Sequence, residues 1–508
     1  MNPLASPRGA IVVAIAAICL SACRPLAAEE KEPSVMAAID LTLVDPEAIA
    51  YATFQSHNQK VVSNRNGIFL TYLVESNQDY TAQRWRLCRS TDGGKTFATV
   101  HEATHATNPP AIETDAEGNV YLVRPDFLAG CSYLCRFTDF AKGSEPVVSQ
   151  IPNSSHGKYA MFLDPRRKRL YYFCADNRFC ATDLYGTVLF THILLAPGPQ
   201  AALQYPHLAL GRDGTLYAAW TTQKHGVYLY WDIHAIRSVD GGQTWQRLNG
   251  APLELPVTAD QTGPADMISH TDEFDVHSWL SALLAKDGKV HFVYWAENTP
   301  QRQRYARYDA ATGAMEAEIE PIFRDRPAFQ PNDSGLLASR AAEAGSPLYF
   351  VSTVDDRGRL ACLASDDNGS TWYEYAVSDR AFAHRVYSIG GARELTAAGC
   401  IVGTFTDVAA DAKKLYDPKS GSVYFFRIQA GLSSAAVRGA RFEAGTLTVE
   451  FGPTRGQPRE IRFQQGDGAW SAWQPMATKV AAKLPAMPAR FQLKSGLGVV
   501  SQPVSLPQ

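Results

Sequence analysis

The chain has 508 residues, of which 11% are aromatic and 19% are charged, and its formal net charge at pH 7 is -3. The near balance of 48 cationic and 51 acidic side chains creates no global field that would favour a nucleic acid as partner. Short strand-like runs dominate, so we expect an all-β protein with a large core and more than one domain.

The first 23 residues have the pattern of an export signal. Arg8 precedes an apolar run from Ala10 to Leu20 that is too short for a stable membrane span. The following "LSAC" resembles the bacterial lipobox, which implies cleavage before Cys23 and lipidation of its thiol; the alternative is an ordinary signal peptide with a chance cysteine. We therefore expect a lipoprotein signal over 1–23, a polar tether over 24–36, and an exported protein anchored in the periplasm or at the outer membrane or cell surface.

Residues 37–431 repeat one pattern about every fifty residues. Each unit contains a short inner strand, an Asp-Gly type of turn, a hydrophobic strand and a hairpin, as in "YPHLALGRDGTLYAAWTT". We count seven units, and "AIDLTLVDPEA" before the first could close a ring by pairing with the seventh. The repeat predicts a seven-bladed β-propeller, with six blades as the alternative count and a long two-sheet sandwich as the competing fold.

A second motif marks three of the units. "RSTDGGKTF", "RSVDGGQTW" and "ASDDNGSTW" all fit Ser-x-Asp-x-Gly-x-Thr-aromatic. Their aspartates are Asp92, Asp240 and Asp367, and their aromatic residues are Phe97, Trp245 and Trp372. The motif resembles the Asp-box, or bacterial neuraminidase repeat, of sialidases and other exported propellers. The resemblance implies a turn between the third and fourth strands of a blade, in which the aspartates form the turn and the aromatic residues plug the blade. A calcium loop would need several oxygen side chains at alternating positions, which these stretches lack.

The pattern changes after residue 431, and residues 432–508 predict a small β-sandwich of immunoglobulin or fibronectin type. In it, Trp470 and Trp473 either bind glycan or pack in a core. Elsewhere, "FCADNRFC" could place Cys174 and Cys180 opposite each other, although no disulfide pairing is deducible.

The Asp-box orients the predicted ring, because the opposite face carries the starts of the inner strands and the loops after the second strands. In propellers that face usually holds the central funnel. The inner-strand residues there are His57, Asn108, His156, Tyr205, His207, His277, Asn332 and His384, flanked by Lys158, Tyr159, Arg385 and Tyr387. The loops add Arg124, Asp176, His225, Glu297 and Asp355. Five histidines converging on one axis predict a functional funnel, since imidazoles can act as acid, base or metal ligand.

Two classes of carbohydrate-cleaving enzyme share this scaffold. A sialidase resembling the family's best-known members would have an early "RIP" motif and six blades, whereas this chain has "HNQKVV" and seven units. Seven-bladed propellers of the same broad superfamily include lyases for uronate polymers such as ulvan, and the stretch from Asp275 to Tyr308 resembles a blade of that type. Those lyases tend to carry a histidine where this chain has Glu297.

The lyase hypothesis needs a base, an acid and a cation that neutralises the uronate carboxylate. We assign His277 or His207 as base, Tyr205 as acid, and Arg385, Arg124 or Lys158 as the cation. The remaining candidates for substrate binding are His57, Asn108, His156, Tyr159, Glu297 and His384. The sequence requires no cofactor, and it does not decide whether a structural cation is bound. The expected partner is a glycan, above all an acidic polysaccharide. The alternative to both enzyme hypotheses is a propeller without catalytic activity that binds a glycan or a protein.

Overall fold

The computed structural model describes residues 36–506, apart from residues 56, 76–81, 152–156, 270–275, 298–301, 320–334, 342, 355–357, 383–384, 415 and 485–488. The predicted export signal and the lipidation site Cys23 lie outside the described residues. No α-helix occurs in the described part of the chain, and accordingly no helix there is long and apolar enough to cross a membrane.

Seven antiparallel sheets follow one another along the chain, and we call them blades 1 to 7. The strand β1 (Ile39–Ala48) precedes them. Blade 1 contains β2 (Val61–Asn64), β3 (Gly67–Val74), β4 (Gln83–Ser90) and β5 (Ala98–Ala106). Blade 2 contains β6 (Ala111–Thr114), β7 (Val120–Asp126), β8 (Cys131–Phe137) and β9 (Val147–Ile151). Blade 3 contains β10 (Tyr159–Asp164), β11 (Arg169–Cys174), β12 (Arg178–Asp183) and β13 (Val188–Ile193).

Blade 4 is the most elaborate sheet. The short strand β14 (Leu195–Ala196) precedes it, and its main strands are β15 (Ala201–Leu210), β16 (Leu216–Lys224) and β17 (Tyr230–Ser238). Its outer edge consists of the short strands β18 (Trp245–Gln246) and β19 (Pro252–Leu253). Next in the chain, β20 (Val257–Thr258) pairs with β14, and β21 (Asp266–Met267) pairs with β17.

The last three blades return to the simple pattern. Blade 5 contains β22 (Ser278–Lys286), β23 (Lys289–Ala296), β24 (Arg302–Asp309) and β25 (Met315–Ile319). Blade 6 contains β26 (Gly335–Ala338), β27 (Leu348–Val354), β28 (Arg359–Ser365) and β29 (Tyr373–Val377). Blade 7 contains β30 (Arg385–Gly391), β31 (Cys400–Val408) and β32 (Gly421–Gln429), with β1 as its outer strand.

The blades close into a ring. Each inner strand packs against the next in the cycle β2, β6, β10, β15, β22, β26, β30 and back to β2. The strand β1 pairs antiparallel with β32, from Ile39 opposite Ile428 to Ala48 opposite Gly421, so the start of the repeat region completes its last blade. Ring closure leaves only short outer edges exposed. The prediction of an all-β, seven-bladed propeller is confirmed, including the closing role of the first strand.

The three predicted box loops join the third and fourth strands of blades 1, 4 and 6. In the first loop the Asp92 carboxylate accepts hydrogen bonds from Ser90 Oγ at 2.8 Å, Lys95 N at 2.9 Å, Thr96 N at 3.0 Å and Thr96 Oγ1 at 2.6 Å. Asp240 and Asp367 make the corresponding bonds in the other two loops. Each carboxylate is thus engaged within its own turn.

The same loops join neighbouring blades. The Phe97 ring packs on Phe425 of blade 7, with ring centroids 5.0 Å apart. Gly94 has φ of +91°, and a Cβ at this position would lie 2.2 Å from the Phe425 ring. The other two loops repeat this arrangement against Phe179 and Tyr305. The glycine therefore serves both a left-handed backbone and a close approach between blades.

An ion pair joins blades 7 and 2 near the face that carries these loops, which we call the box face. Arg393, after β30, pairs with Glu113 near the end of β6, and its guanidinium lies 4.0 Å from the Phe162 ring centroid of blade 3. Gln59 Oε1 accepts a hydrogen bond from Arg393 N at 2.9 Å. Because these residues come from blades 1, 2, 3 and 7, their contacts join four blades near the box face.

The strands after residue 432 form two further sheets. One contains β33 (Ser434–Glu443), β34 (Thr446–Arg455) and β37 (Lys479–Lys483). The other contains β35 (Pro458–Gln465), β36 (Gln474–Pro475), β38 (Ala489–Ser495) and β39 (Val504–Ser505). They enclose one apolar cluster with Leu447, Phe463 and Phe491. Trp470 and Trp473 lie partly exposed outside it, and their ring centroids are 4.9 and 4.5 Å from the Arg462 guanidinium. The relation to immunoglobulin or fibronectin domains stays a prediction.

The seven cysteines of the described chain are buried and carry free thiols. Cys174 and Cys180 lie on neighbouring strands of blade 3 and share one apolar cluster with Tyr172, but they are not bonded to each other.

Candidate functional site

Five of the predicted funnel residues come together on the face opposite the box loops. His57 belongs to the segment before β2, Lys158 precedes β10, Tyr205 and His207 lie in β15, and His277 precedes β22. They therefore come from blades 1, 3, 4 and 5. We call this group, together with Tyr228 and Tyr230, the funnel cluster.

Two imidazoles form its innermost part. The rings of His57 and His207 have centroids 4.8 Å apart, and His57 lies 5.5 Å from the Tyr205 ring. His207 Nδ1 lies 3.2 Å from the Tyr205 carbonyl, and His57 bonds the backbone of Tyr159. Since a carbonyl only accepts, these contacts hold a hydrogen on the donating nitrogen. The Nε2 atoms of both rings are buried and make no hydrogen bond to any described residue.

Burial keeps both imidazoles neutral. Desolvation lowers the pKa of His207 to about 3, and the backbone contacts with Tyr205 and Ser281 offset only part of this effect. Desolvation also lowers the pKa of His57 well below its usual value, reinforced by His207 and Lys60. Both rings are therefore neutral at neutral pH, and each can accept a proton at the nitrogen that carries no hydrogen.

Three tyrosine hydroxyls lead from this pair to the solvent. The Tyr205 and Tyr230 oxygens are 2.9 Å apart, and the Tyr228 and Tyr230 oxygens are 2.8 Å apart. Tyr228 is 73% exposed, whereas Tyr230 is buried. Burial raises the pKa of Tyr205 and of Tyr230 far above the usual value, so both phenols keep their protons. A register shift between Leu203 and Pro206 of β15 interrupts the regular alternation of side chains beside Tyr205.

Lys158 supplies the positive charge of the cluster. Its Nζ atom lies 4.5 Å from the Tyr205 ring centroid and 5.5 Å from that of Tyr230, and it donates a hydrogen bond to Gln204 Oε1. Burial lowers the pKa of this ammonium to about 8. The group is thus mostly charged at pH 7, although desolvation destabilises its charged form.

His277 is oriented as a donor rather than a base. Its Nδ1 atom accepts the backbone N–H of Tyr230 at 3.1 Å, so the ring proton resides on Nε2. The ring lies 5.8 Å from Tyr230 and 6.1 Å from Tyr228. Nε2 of His277 therefore presents an N–H rather than a lone pair.

A surface cavity of about 400 Å³ opens beside the cluster on blade 4. Gln204, which bonds Lys158, and Tyr228, which ends the hydroxyl chain, are both part of its wall. The other lining residues are Ala202, Gln223, Lys224, His225, Gly226 and Val227. The wall is largely polar, which suits a hydrated ligand such as a sugar.

Several predicted residues have other contacts. The Tyr159 hydroxyl is buried and donates to the carbonyl oxygens of Pro109 at 2.9 Å and Val123 at 3.1 Å, so it ties blade 3 to blade 2. Arg124 donates to His105 O and Asp126, and its guanidinium lies 4.7 Å from the Tyr133 ring. Neither side chain belongs to the funnel cluster.

The remaining candidates lie around the cluster. Asn108 donates its amide to Gly157 O, while its Oδ1 atom is buried without a hydrogen bond to a described residue. Glu297 is exposed, and its backbone N–H donates to His277 O at 2.8 Å. Asp176 accepts from Arg178 N, and His225 Nε2 lies 2.8 Å from Gly198 O.

Some predicted positions stay untested. His156, Asn332, Asp355 and His384 lie outside the described residues. Only the backbone of Arg385 is described, at the start of β30 opposite Val408. Within the described ranges, no group of three His, Cys, Asp or Glu side chains is arranged to hold a metal ion.

Sequence reasoning missed Tyr228 and Tyr230. It searched the starts of inner strands and the ends of second strands, whereas these tyrosines stand at the start of the third strand of blade 4. In an antiparallel blade that start lies on the same face. The stretch "VYLYW" carried a usable signal, because its two tyrosines alternate before a strand.

No known protein-family profile matches the chain. No curated protein is detectably similar in sequence either. Among solved structures, a polysaccharide lyase of family PL25, an ulvan lyase, matches with a TM-score of 0.52 at 11% identity over 75% of this chain and 94% of that chain. A PL25 ulvan lyase bound to -[GlcA(1-4)Rha3S]- matches with a TM-score of 0.52 at 12% identity over 75% of this chain and 94% of that chain. The α-L-arabinanase of Penicillium chrysogenum has a TM-score of 0.40 at 10% identity, over 78% of this chain and 99% of that chain. At these identities, the likeness to the lyase establishes a shared propeller fold.

Proposed function

We propose that the protein is an exported, lipid-anchored propeller, related to the Asp-box propellers, that cleaves an acidic polysaccharide by β-elimination at a uronate. The funnel cluster supports this proposal because it combines a neutral imidazole pair, a protonated phenol and a partly desolvated ammonium. The ulvan lyase with the same fold binds a polymer that contains GlcA, which is consistent with a uronate substrate.

The proposed reaction assigns one role to each group. The Lys158 ammonium faces the uronate carboxylate and stabilises the negative charge that develops there. The proton on carbon 5 of the uronate passes to Nε2 of His57, which is more exposed than His207. The C4–O bond breaks as the C4–C5 double bond forms, and Tyr205 donates its hydroxyl proton to the leaving oxygen. Tyr230 and Tyr228 return a proton to Tyr205 from the solvent.

The two unbonded Nε2 atoms are the observation that carries the proposal. Leaving a buried polar atom without a hydrogen bond costs about 1–3 kcal/mol. Nε2 is also unbonded in His192, His234 and His291, so the distinguishing feature of His57 and His207 is that the two rings are adjacent. Two such atoms in adjacent rings beside a phenol and an ammonium form a preorganised acceptor for a proton.

The test is a cleavage assay on the chain without its export signal. Incubation with ulvan, polygalacturonate and chondroitin sulfate should produce the ultraviolet absorbance of an unsaturated uronate from at least one substrate. We expect His57→Asn to lower kcat/KM by about 10²-fold or more, since general acid-base groups contribute about 10²–10⁴-fold. His105→Asn is the matched control, because His105 is exposed and has φ of +64°, which asparagine tolerates.

Two results would contradict the proposal. One is the absence of an unsaturated product from every acidic polysaccharide. The other is full activity in both His57→Asn and His207→Asn. Release of sialic acid from sialyl substrates would instead support the sialidase-like alternative, and tight glycan binding without any cleavage would support a non-catalytic propeller.

A further inference from the structure

A second cavity lies on the box face, away from the funnel cluster. It has a volume of about 460 Å³ and lies between the turns that join the first and second strands of blades 3, 4 and 5. The strand β22 spans the two faces: His277 precedes its first residue, and Lys286 is its last. At about 3.3 Å per residue, the nine residues from Ser278 to Lys286 place the cavity and the funnel cluster roughly 30 Å apart.

Two arginines at the rim of this cavity are not neutralised. Arg166 and Arg212 are both exposed, and neither guanidinium forms an ion pair or hydrogen bond with the described part of the chain. Arg166 begins the run "RRKR", in which Arg167 is already paired with Asp164 at 2.9 Å. Guanidinium groups stay charged throughout the physiological pH range, so the rim carries permanent positive charge.

The two lysines around the cavity are already paired with carboxylates. Lys286 bonds Asp287, and Lys289 pairs with Asp309 at 2.9 Å. Asp213 accepts hydrogen bonds from the backbone and the hydroxyl of Thr215, at 3.0 and 2.8 Å. The Asp213 carboxylate keeps its negative charge, so the two positive charges of Arg166 and Arg212 exceed the one negative charge beside them, and an incoming anion would meet this excess.

The inner wall of the cavity is less polar than its rim. It contains the buried ring of Tyr217 with Ala285 and Ala310. An apolar wall below two guanidinium groups that have no anionic partner is complementary to a sugar ring that carries a carboxylate or a sulfate. We propose that this cavity is a second glycan site, which binds one acidic unit of a polysaccharide and holds the chain near the enzyme surface.

The decisive variant is Arg166→Gln/Arg212→Gln, measured by calorimetry in a Lys158→Met background that weakens the funnel cluster. The probes are oligogalacturonate, a chondroitin sulfate oligosaccharide, a neutral dextran oligosaccharide and inorganic sulfate. We expect one acidic oligosaccharide to bind, with an affinity that falls about tenfold or more in the double variant, since charge-assisted hydrogen bonds are lost. Arg65→Gln is the matched control: Arg65 is an exposed arginine in the corresponding turn of blade 1 and should change affinity by less than about twofold.

The outcomes separate this proposal from its rivals. Equal binding by the double variant, or equal binding of neutral dextran, would overturn it. Inorganic sulfate that binds as tightly as the sugars would overturn the sugar assignment, and capture by anionic lipid vesicles without oligosaccharide binding would replace it with a membrane contact. Binding lost in the double variant supports this site even where no polysaccharide is cleaved, so its test is independent of the proposed lyase activity.

Discussion

The pKa of Lys158 gives the sharpest test of the proposed mechanism. Burial lowers it to about 8, against about 10.4 for an exposed lysine. The ammonium is charged below its pKa, so about 90% of the protein carries the charge at pH 7, about half at pH 8 and about 10% at pH 9. If this charge stabilises the uronate in the transition state, kcat/KM falls about tenfold per pH unit above pH 8.

Substitutions at the same position isolate the charge. Lys158→Met should lower kcat/KM at pH 7 by about 10²-fold, because one electrostatic partner of the developing charge is lost. Lys158→Arg keeps a charge that does not titrate below about pH 12, so its activity, although reduced by altered geometry, should stay level where the native protein declines.

The pKa can also be measured without a substrate. Reductive methylation with ¹³C-formaldehyde labels the lysines, and the signal that is missing in Lys158→Arg identifies Lys158 in an NMR titration. A midpoint near the value of an exposed lysine would refute the burial argument. A decline above pH 8 that persists unchanged in Lys158→Arg would refute the assignment of this residue to the carboxylate.

Two further predictions concern the fold. Gly94→Ala should lower the free energy of unfolding in urea by about 3 kcal/mol, since it adds left-handed strain and overlap with the Phe425 ring. Gly130→Ala is the control, because Gly130 has φ of +68° and nothing within 4 Å, and it should cost only about 1 kcal/mol. Equal losses in the two variants would contradict the close contact between the Gly94 turn and Phe425. Arg393→Met should lower the free energy of unfolding by about 3 kcal/mol, because it leaves the buried Glu113 carboxylate without its cation. Arg393→Met/Glu113→Gln should recover part of this loss. A double variant no more stable than the single one would argue against a stabilising ion pair.

The propeller could be predicted from the sequence because its signals are local. Alternating strands and Asp-Gly turns recur at a regular spacing, and "RSTDGGKTF" closes its turn with hydrogen bonds that span no more than four residues. The closing role of β1 was also foreseeable, since a ring needs one more outer strand than the last unit supplies. These features depend on neighbours in the chain, which a single sequence displays.

The funnel cluster could be predicted only in part. Strand starts indicated His57, Lys158, Tyr205 and His207 as one group, and the structure brings them together. The same rule selected Tyr159, whose hydroxyl bonds the backbone of blade 2 instead. Whether a side chain at a strand start enters the funnel or packs between blades depends on strand register and on the neighbouring blade, and the sequence displays neither.

The chemical state of each group was decided by the tertiary structure alone. His57 and His207 lie 150 residues apart in the sequence, and ring closure brings their imidazoles together and buries both. Burial, rather than residue type, keeps the two imidazoles neutral and lowers the pKa of Lys158 towards physiological pH. The backbone N–H of Tyr230 sets the tautomer of His277. The sequence determined which residue types lie at the funnel, whereas desolvation and hydrogen bonding between blades determined their protonation, because both depend on atoms that are remote in the chain.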